Sequence, residues 1–236
     1  MSMLPGRKTR VSTGGIQGMQ GVLRYGDTLA DVLPGGNDRT TALVRDVVLI
    51  IAAVALTAAA AQVTIPWYPV PFTGQTFAVL LSAGVLGMWR ATTAMILYML
   101  VGILGAPVFA EQASGWSVMT GPTAGYIIGF IIAAAVVGFL AEKGADRNWI
   151  SMIGALLLGE VIIFAIGAWW LAEQDFGGVR FGWSNAYDTG VQPFILGDLL
   201  KLGIAASILP LAWAGVNALG LERGPKKDED DSREDE

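Results

Sequence analysis

Between Asp46 and Arg90 the chain carries no charged residue. Such a stretch is poorly suited to water, and in lipid every backbone N–H and C=O must find its partner within the chain, which calls for helices. The run is broken once, by Pro66, Pro69 and Pro71. Proline lacks an N–H and restricts the residue before it, so no helix continues through that cluster. The stretch therefore predicts two helical spans, about 44–65 and 74–88, joined by a proline-rich turn.

Comparable apolar runs follow at about 91–106, 121–141, 149–172 and 192–220. Most come near the roughly 20 residues a helix needs to cross the hydrocarbon core. Composition agrees: 15% of residues are charged, against about 25% in soluble domains. The expected fold class is all-α, a multi-pass bundle of six transmembrane helices over residues 43–221. Residues 107–120 and the more polar 173–191 are expected as loops.

Six spans place both termini on one side, and the distribution of basic residues says which. Thirteen of the fifteen Lys and Arg fall in the two tails or in loops on the tails' side, Arg90, Lys143 and Arg147 among them. The opposite side has Arg180, and Lys201 lies within the last span. Both termini are thus expected in the cytoplasm and the chain in the plasma membrane. Residues 1–42 are Gly-rich and are expected to form a flexible cytoplasmic tail; residues 222–236 hold eight acids and four bases, the composition of a disordered tail.

Several chemistries are excluded. With no Cys and no His there is no thiol nucleophile, no disulfide, no Cys/His metal site and no imidazole base. No phosphate-binding Gly-rich loop ending in Lys-Ser or Lys-Thr is present, so this chain does not hydrolyse ATP by that route. Outside the acidic tail the charges nearly cancel, which is not the balance of a nucleic-acid binder. No enzyme activity and no cofactor are expected.

Charged groups inside a membrane are costly and mark candidate functional sites. Three qualify: Glu160, Asp198 and Lys201. Asp198 and Lys201, three apart, share a helix face. They form either an internal ion pair or a polar patch facing a ligand, a carboxylate accepting hydrogen bonds and an ammonium offering up to three. Glu160 has three open roles: ligand contact, structural donor or proton-coupling group. Phe72-Thr73-Gly74-Gln75-Thr76 follows the prolines without a charge and is either a rigid turn or a lid, with Thr73 and Gln75 able to bond a neutral polar group. Glycines at 121, 125 and 129 have the spacing that lets helices approach closely. Ala55 and Ala59 give the first span a small-residue stripe suited to another helix, of this chain or of a partner.

Pro69–Thr76, Gly105–Ala110, Gly121–Gly129 and Pro193–Lys201, in this order and spacing, resemble the BioY family, the biotin-specific S components of energy-coupling factor (ECF) transporters. The resemblance covers about residues 43–215. It implies high-affinity biotin capture from outside, a pocket in the external half of the bundle, and covering loops at about 66–75 and 107–120. Asp198 and Lys201 match its Gly-Asp-x-x-Lys element. Biotin chemistry suits the candidates: Phe72, Tyr126 and Trp116 for the bicyclic ring, Asp198 for the ureido N–H groups, Gln75 for the ureido carbonyl, and Lys201 or Arg180 for the valerate carboxylate. The resemblance further implies a transmembrane coupling subunit docked on Ala55 and Ala59, and cytoplasmic ATPases. A self-associated homo-oligomer working alone is a second arrangement. A proton-coupled carrier of another small carboxylate, with Glu160 and Asp198 as relays, is the rival expectation.

Overall fold

The structure, a computed structural model, describes residues 28–32 and 39–219. After a single turn, α1 (Leu29–Val32), come α2 (Arg39–Gln62), α3 (Gln75–Leu86), α4 (Met88–Ile103), the turn α5 (Trp116–Met119), α6 (Ala124–Glu142), α7 (Trp149–Glu173), α8 (Gly182–Gly190) and α9 (Ile195–Ala218). Antiparallel strands β1 (Thr64–Ile65) and β2 (Phe72–Thr73), paired Thr64 to Thr73 and Ile65 to Phe72, close the proline-rich turn into a hairpin. Among the described residues, four helical runs are long and apolar enough to cross a membrane: α2, α6, α7 and Gly182–Ala218, which contains α8 and α9. The helices α3 and α4 are apolar but shorter. With 12 residues, α3 extends only ~18 Å.

Each long helix lies where an apolar run was expected, with ends displaced by a few residues. The stretch 173–191, expected as loop, contains α8. Its Ala186 and Gly190 are buried, so one apolar face of an otherwise polar segment finds the bundle. Residues 28–32, within the stretch expected as a flexible tail, form a packed turn in which Thr28 and Ala30 are almost fully buried. The expectations for residues 1–27, 33–38 and 220–236 lie outside the described residues.

Glycine makes the packing possible. A Cβ on Gly125 would lie 2.3 Å from Trp170 Cβ, and one on Gly129 would lie 3.0 Å from Ile163 Cα. α6 and α7 therefore meet almost backbone to backbone, as the four-residue glycine spacing predicts. Gly87 joins α3 to α4 in one residue at φ +80°, a conformation that side chains with a Cβ resist. A Cβ on Gly138 would come within 2.5 Å of the Gly87 carbonyl carbon, so α6 braces this hairpin.

One end of the bundle is tied by polar contacts. Asp31 accepts from Arg90 at 2.7 Å and lies 3.5 Å from Arg45; Asp46 lies 3.0 Å from each arginine. Glu142 accepts from the Met88 N–H at 2.8 Å, and Trp213 donates to the buried Asp146. The ends of α2, α4, α6 and α9 are thereby cross-linked. Burial alone would raise the Asp31 carboxyl, but bonds from Arg90 and Thr28 and the Arg90 charge hold it below its ordinary range. A depressed carboxylate adds stability above its unfolded pKa and loses it as pH falls through the folded one. We expect Asp31→Asn to cost about 1 kcal/mol at pH 7 for these partly exposed pairs. Thermal unfolding in detergent should fall by about 2–4 °C, and the gap to the wild type should begin to close only as pH falls below the ordinary Asp pKa of about 3.9.

Candidate functional site

At the other end the helices splay around a cavity of about 320 Å³, within the range of small-molecule sites, about 300–1,000 Å³. The hairpin (Pro69–Pro71, Thr73), the start of α3 (Gln75, Thr76), the loop 109–123, the first turns of α6 (Tyr126, Ile127, Phe130), Phe164 of α7 and the start of α9 (Phe194, Asp198, Lys201) line it. Of the residues singled out from sequence, Thr73, Gln75, Tyr126, Asp198 and Lys201 converge here from four separate elements.

Asp198 and Lys201 form the expected i, i+3 ion pair, yet the pair does more than close on itself. Lys201 Nζ also donates to the Thr73 carbonyl and to Thr76 Oγ1, both at 2.9 Å. The three ammonium protons thus have three acceptors within the chain, and they tie α9 to the hairpin and to α3. Because Thr76 Oγ1 accepts from Lys201, its own proton goes to Asp198 Oδ1, 3.1 Å away. Asp198 Oδ2 is buried with no hydrogen-bond partner among the described residues. A buried carboxylate oxygen without a donor is costly, and it lies on a residue lining the cavity.

Part of the wall is aromatic. Phe72 stacks on Phe194 at 4.2 Å between ring centroids, Phe194 meets Phe164 at 5.9 Å, and Phe164 meets Tyr126 edge-on at 6.1 Å. Phe72 thus stands behind the lining and supports it through Phe194. Tyr126 is fixed by donating to the Gly190 carbonyl at 2.8 Å. Its ring fills the space a Cβ on Gly167 would need, 2.4 Å away.

Three expected residues lie elsewhere. Trp116 is 66% exposed and does not line the cavity, because the turn α5 directs it outward while its neighbours Ser117 and Val118 line it. Glu160 is buried but faces a second, apolar crevice of about 400 Å³ between α7 and α9, which it shares with Asp198. Arg180 is exposed and lines neither cavity. Ala55 and Ala59 are exposed on the outer face of α2.

Sequence reasoning missed the supports. Gln62, at the end of α2, donates to the Phe109 carbonyl at 3.0 Å and accepts from the Gln112 N–H at 3.2 Å. It holds a loop in which Glu111 and Gln112 adopt φ of +57° and +59°, unusual for residues with a Cβ. Tyr98, fully buried, bonds Gln75. The available signal was an amide at the end of one apolar run and a hydroxyl within another, positions where a polar group needs a partner.

Known proteins share this architecture. The sequence profile of the BioY family matches residues 34–218. The biotin transporter BioY of Thermotoga maritima is 44% identical over 154 residues, 65% of this chain and 87% of the relative. The biotin transporter BioY2 of Lactococcus lactis is 34% identical over 167 residues, 70% of this chain and 87% of the relative. A crystal structure of the S-component for biotin from an ECF-type ABC transporter superposes with a TM-score of 0.66 at 21% identity, covering 75% of this chain and 95% of that one. With the profile spanning most of the helical bundle, the chain belongs to the BioY family.

Proposed function

We propose that this chain captures biotin in the Asp198 cavity and carries it across the plasma membrane as the S component of an ECF-type transporter. The observation that carries this reading is Asp198, whose buried Oδ2 lacks a partner among the described residues, lining the same cavity as an aromatic wall. Biotin has both complements: a ureido ring with N–H donors and a largely apolar bicycle. Family membership and the names of the relatives support the same ligand.

In this reading the six apolar helices α2, α3, α4, α6, α7 and α9 all cross the bilayer, both termini are cytoplasmic, and the cavity opens outward. The basic residues Arg45, Arg90, Lys143 and Arg147 lie at or near helix ends away from the cavity, as the positive-inside rule requires. Thr73, Gln75 and Tyr126 contact the ligand, and Phe72 backs the wall they share. Lys201 serves chiefly by pairing with Asp198 and holding the hairpin in place. The family is one of transporters rather than enzymes, and energy comes from a coupling subunit seated on Ala55 and Ala59, with its ATPases.

Uptake of labelled biotin by cells expressing this chain, with and without a coupling module, tests the proposal. Biotin accumulation that collapses on ATP depletion is the expected result. Ala59→Trp should reduce coupled uptake at least about tenfold while biotin binding to the purified chain stays within twofold, since a bulky ring prevents the close helix approach that small residues permit. Uptake that follows the proton gradient instead would favour a proton-coupled carrier, and uptake without the module a solitary transporter.

A further inference from the structure

The hydrogen bonds around Gln75 have only one consistent direction. Tyr98 Oη lies 2.9 Å from the Val108 carbonyl. A carbonyl only accepts and a phenol has one proton, so Tyr98 donates there. Tyr98 Oη also lies 2.7 Å from the Gln75 side-chain amide. With its proton spent, it can only accept, and the amide atom facing it must be Nε2. On the other side, Thr73 Oγ1 accepts from the Gln75 backbone N–H at 3.3 Å and gives its proton to Gln75 Oε1 at 3.0 Å. Tyr98 sets the amide orientation and the Thr73 hydroxyl fits it.

The cavity lies on one side of this chain of bonds. Thr73 and Gln75 line it, whereas Tyr98 and Val108 do not. Nε2 therefore gives one of its two protons to Tyr98, outside the lining, while Oε1 accepts from Thr73 of the lining and keeps a lone pair to spare. Tyr98 is fully buried and packs edge-on against Phe109 at 5.4 Å, so its hydroxyl has no freedom to swing to another partner.

We infer that Tyr98 is a positioning residue that turns the Gln75 amide oxygen toward the cavity, so that Gln75 recognises a ligand N–H rather than a ligand carbonyl. This reverses the expectation that Gln75 serves the ureido carbonyl, and it rests on the reading of the cavity as a biotin site. A ureido ring carries two N–H groups on opposite flanks. Asp198 supplies an acceptor from α9 and Gln75 an acceptor from α3, so the two flanks are read by two different helices. Selectivity for an unsubstituted cyclic urea follows, because a site built to bond an N–H rejects an analogue lacking it.

The test measures binding of biotin and of its two ureido N-methyl derivatives to the purified full chain, the Tyr98→Phe variant, the Gln75→Met variant and the double variant. Tyr98→Phe lets the amide rotate and leaves the Val108 carbonyl unbonded. Biotin affinity should fall about 5- to 30-fold. For one methyl derivative, which in the wild type already lacks the Gln75 bond, affinity should change less than twofold, so that discrimination between it and biotin collapses. Gln75→Met should produce the same collapse, and adding Tyr98→Phe to it should cost biotin nothing more. Equal losses for biotin and both derivatives, additive losses in the double variant, or unchanged biotin binding in Tyr98→Phe would each overturn the inference. Failure of the wild type to bind biotin overturns the ligand reading itself, and this inference with it.

Discussion

Replacing Asp198 by Asn is expected to weaken biotin binding about 100-fold or more while the chain still folds and inserts. The amide has nearly the shape of the carboxylate but removes its charge from a buried ion pair. A hydrogen bond to a charged group is worth about 1.5–3 kcal/mol, and tenfold in affinity corresponds to about 1.4 kcal/mol. The local geometry makes the loss specific to the ligand. Oδ1 already serves Thr76 and Lys201, so an amide there must present its oxygen to them. Its NH₂ then occupies the place of the unpartnered Oδ2 and, in the proposed pose, meets a ureido N–H donor to donor. Equilibrium dialysis with labelled biotin, alongside thermal unfolding in detergent, separates the two effects. A large drop in affinity with unfolding unchanged or modestly lowered is the expected pair of results. Lys201→Ala should cost biotin and biotin amide equally, because its three protons are committed to the chain's own acceptors.

The second large effect is expected at Gly102, which touches no ligand in this account. A Cβ at this position would lie 2.1 Å from Phe109 Cζ, and Phe109 is part of the cavity wall. The Gly102 carbonyl also accepts from the Gly115 N–H at 2.8 Å, which ties the far end of the same loop. Gly102→Leu therefore forces Phe109 from its seat beside Tyr98. Overpacking of this kind costs about 1–3 kcal/mol, and here the loop between α4 and α6 is the part free to yield. Biotin affinity should fall about 10- to 100-fold, with new protease cleavage within residues 107–115. Phe109→Leu combined with Gly102→Ala should recover part of the loss relative to Gly102→Ala alone, since neighbours in contact are not additive. Strict additivity would mean that the ring and the glycine do not share that space.

Much of this organisation was legible in sequence because lipid imposes a strong rule. Charge-free runs such as Val47–Ile65 had few alternatives to helix, and the three prolines could only interrupt them. Asp198 and Lys201 stood out because their burial needs a reason. The hairpin was less visible: β1 and β2 have two residues each, too few for a period-two pattern to register. The helix α8 was hidden because Trp183, Asn185, Tyr187 and Asp188 make its segment read as polar, and only its buried Ala186 face draws it to the bundle. For Trp116 the aromatic type was informative but the direction was not, since a four-residue turn decides which way it points. The supports Gln62, Tyr98 and Thr76 depend on contacts as many as 125 residues apart in sequence, and no local pattern encodes those.

The central claim is that a buried Asp198 carboxylate binds the ureido ring of biotin, and titration calorimetry tests it most directly. Biotin titrated into the purified wild-type chain should give saturable heat at one molecule per chain, and an N,N′-dimethylated ureido derivative should give none. A well-folded wild-type chain that takes up no biotin, or that binds the dimethyl derivative as tightly as biotin, would contradict it.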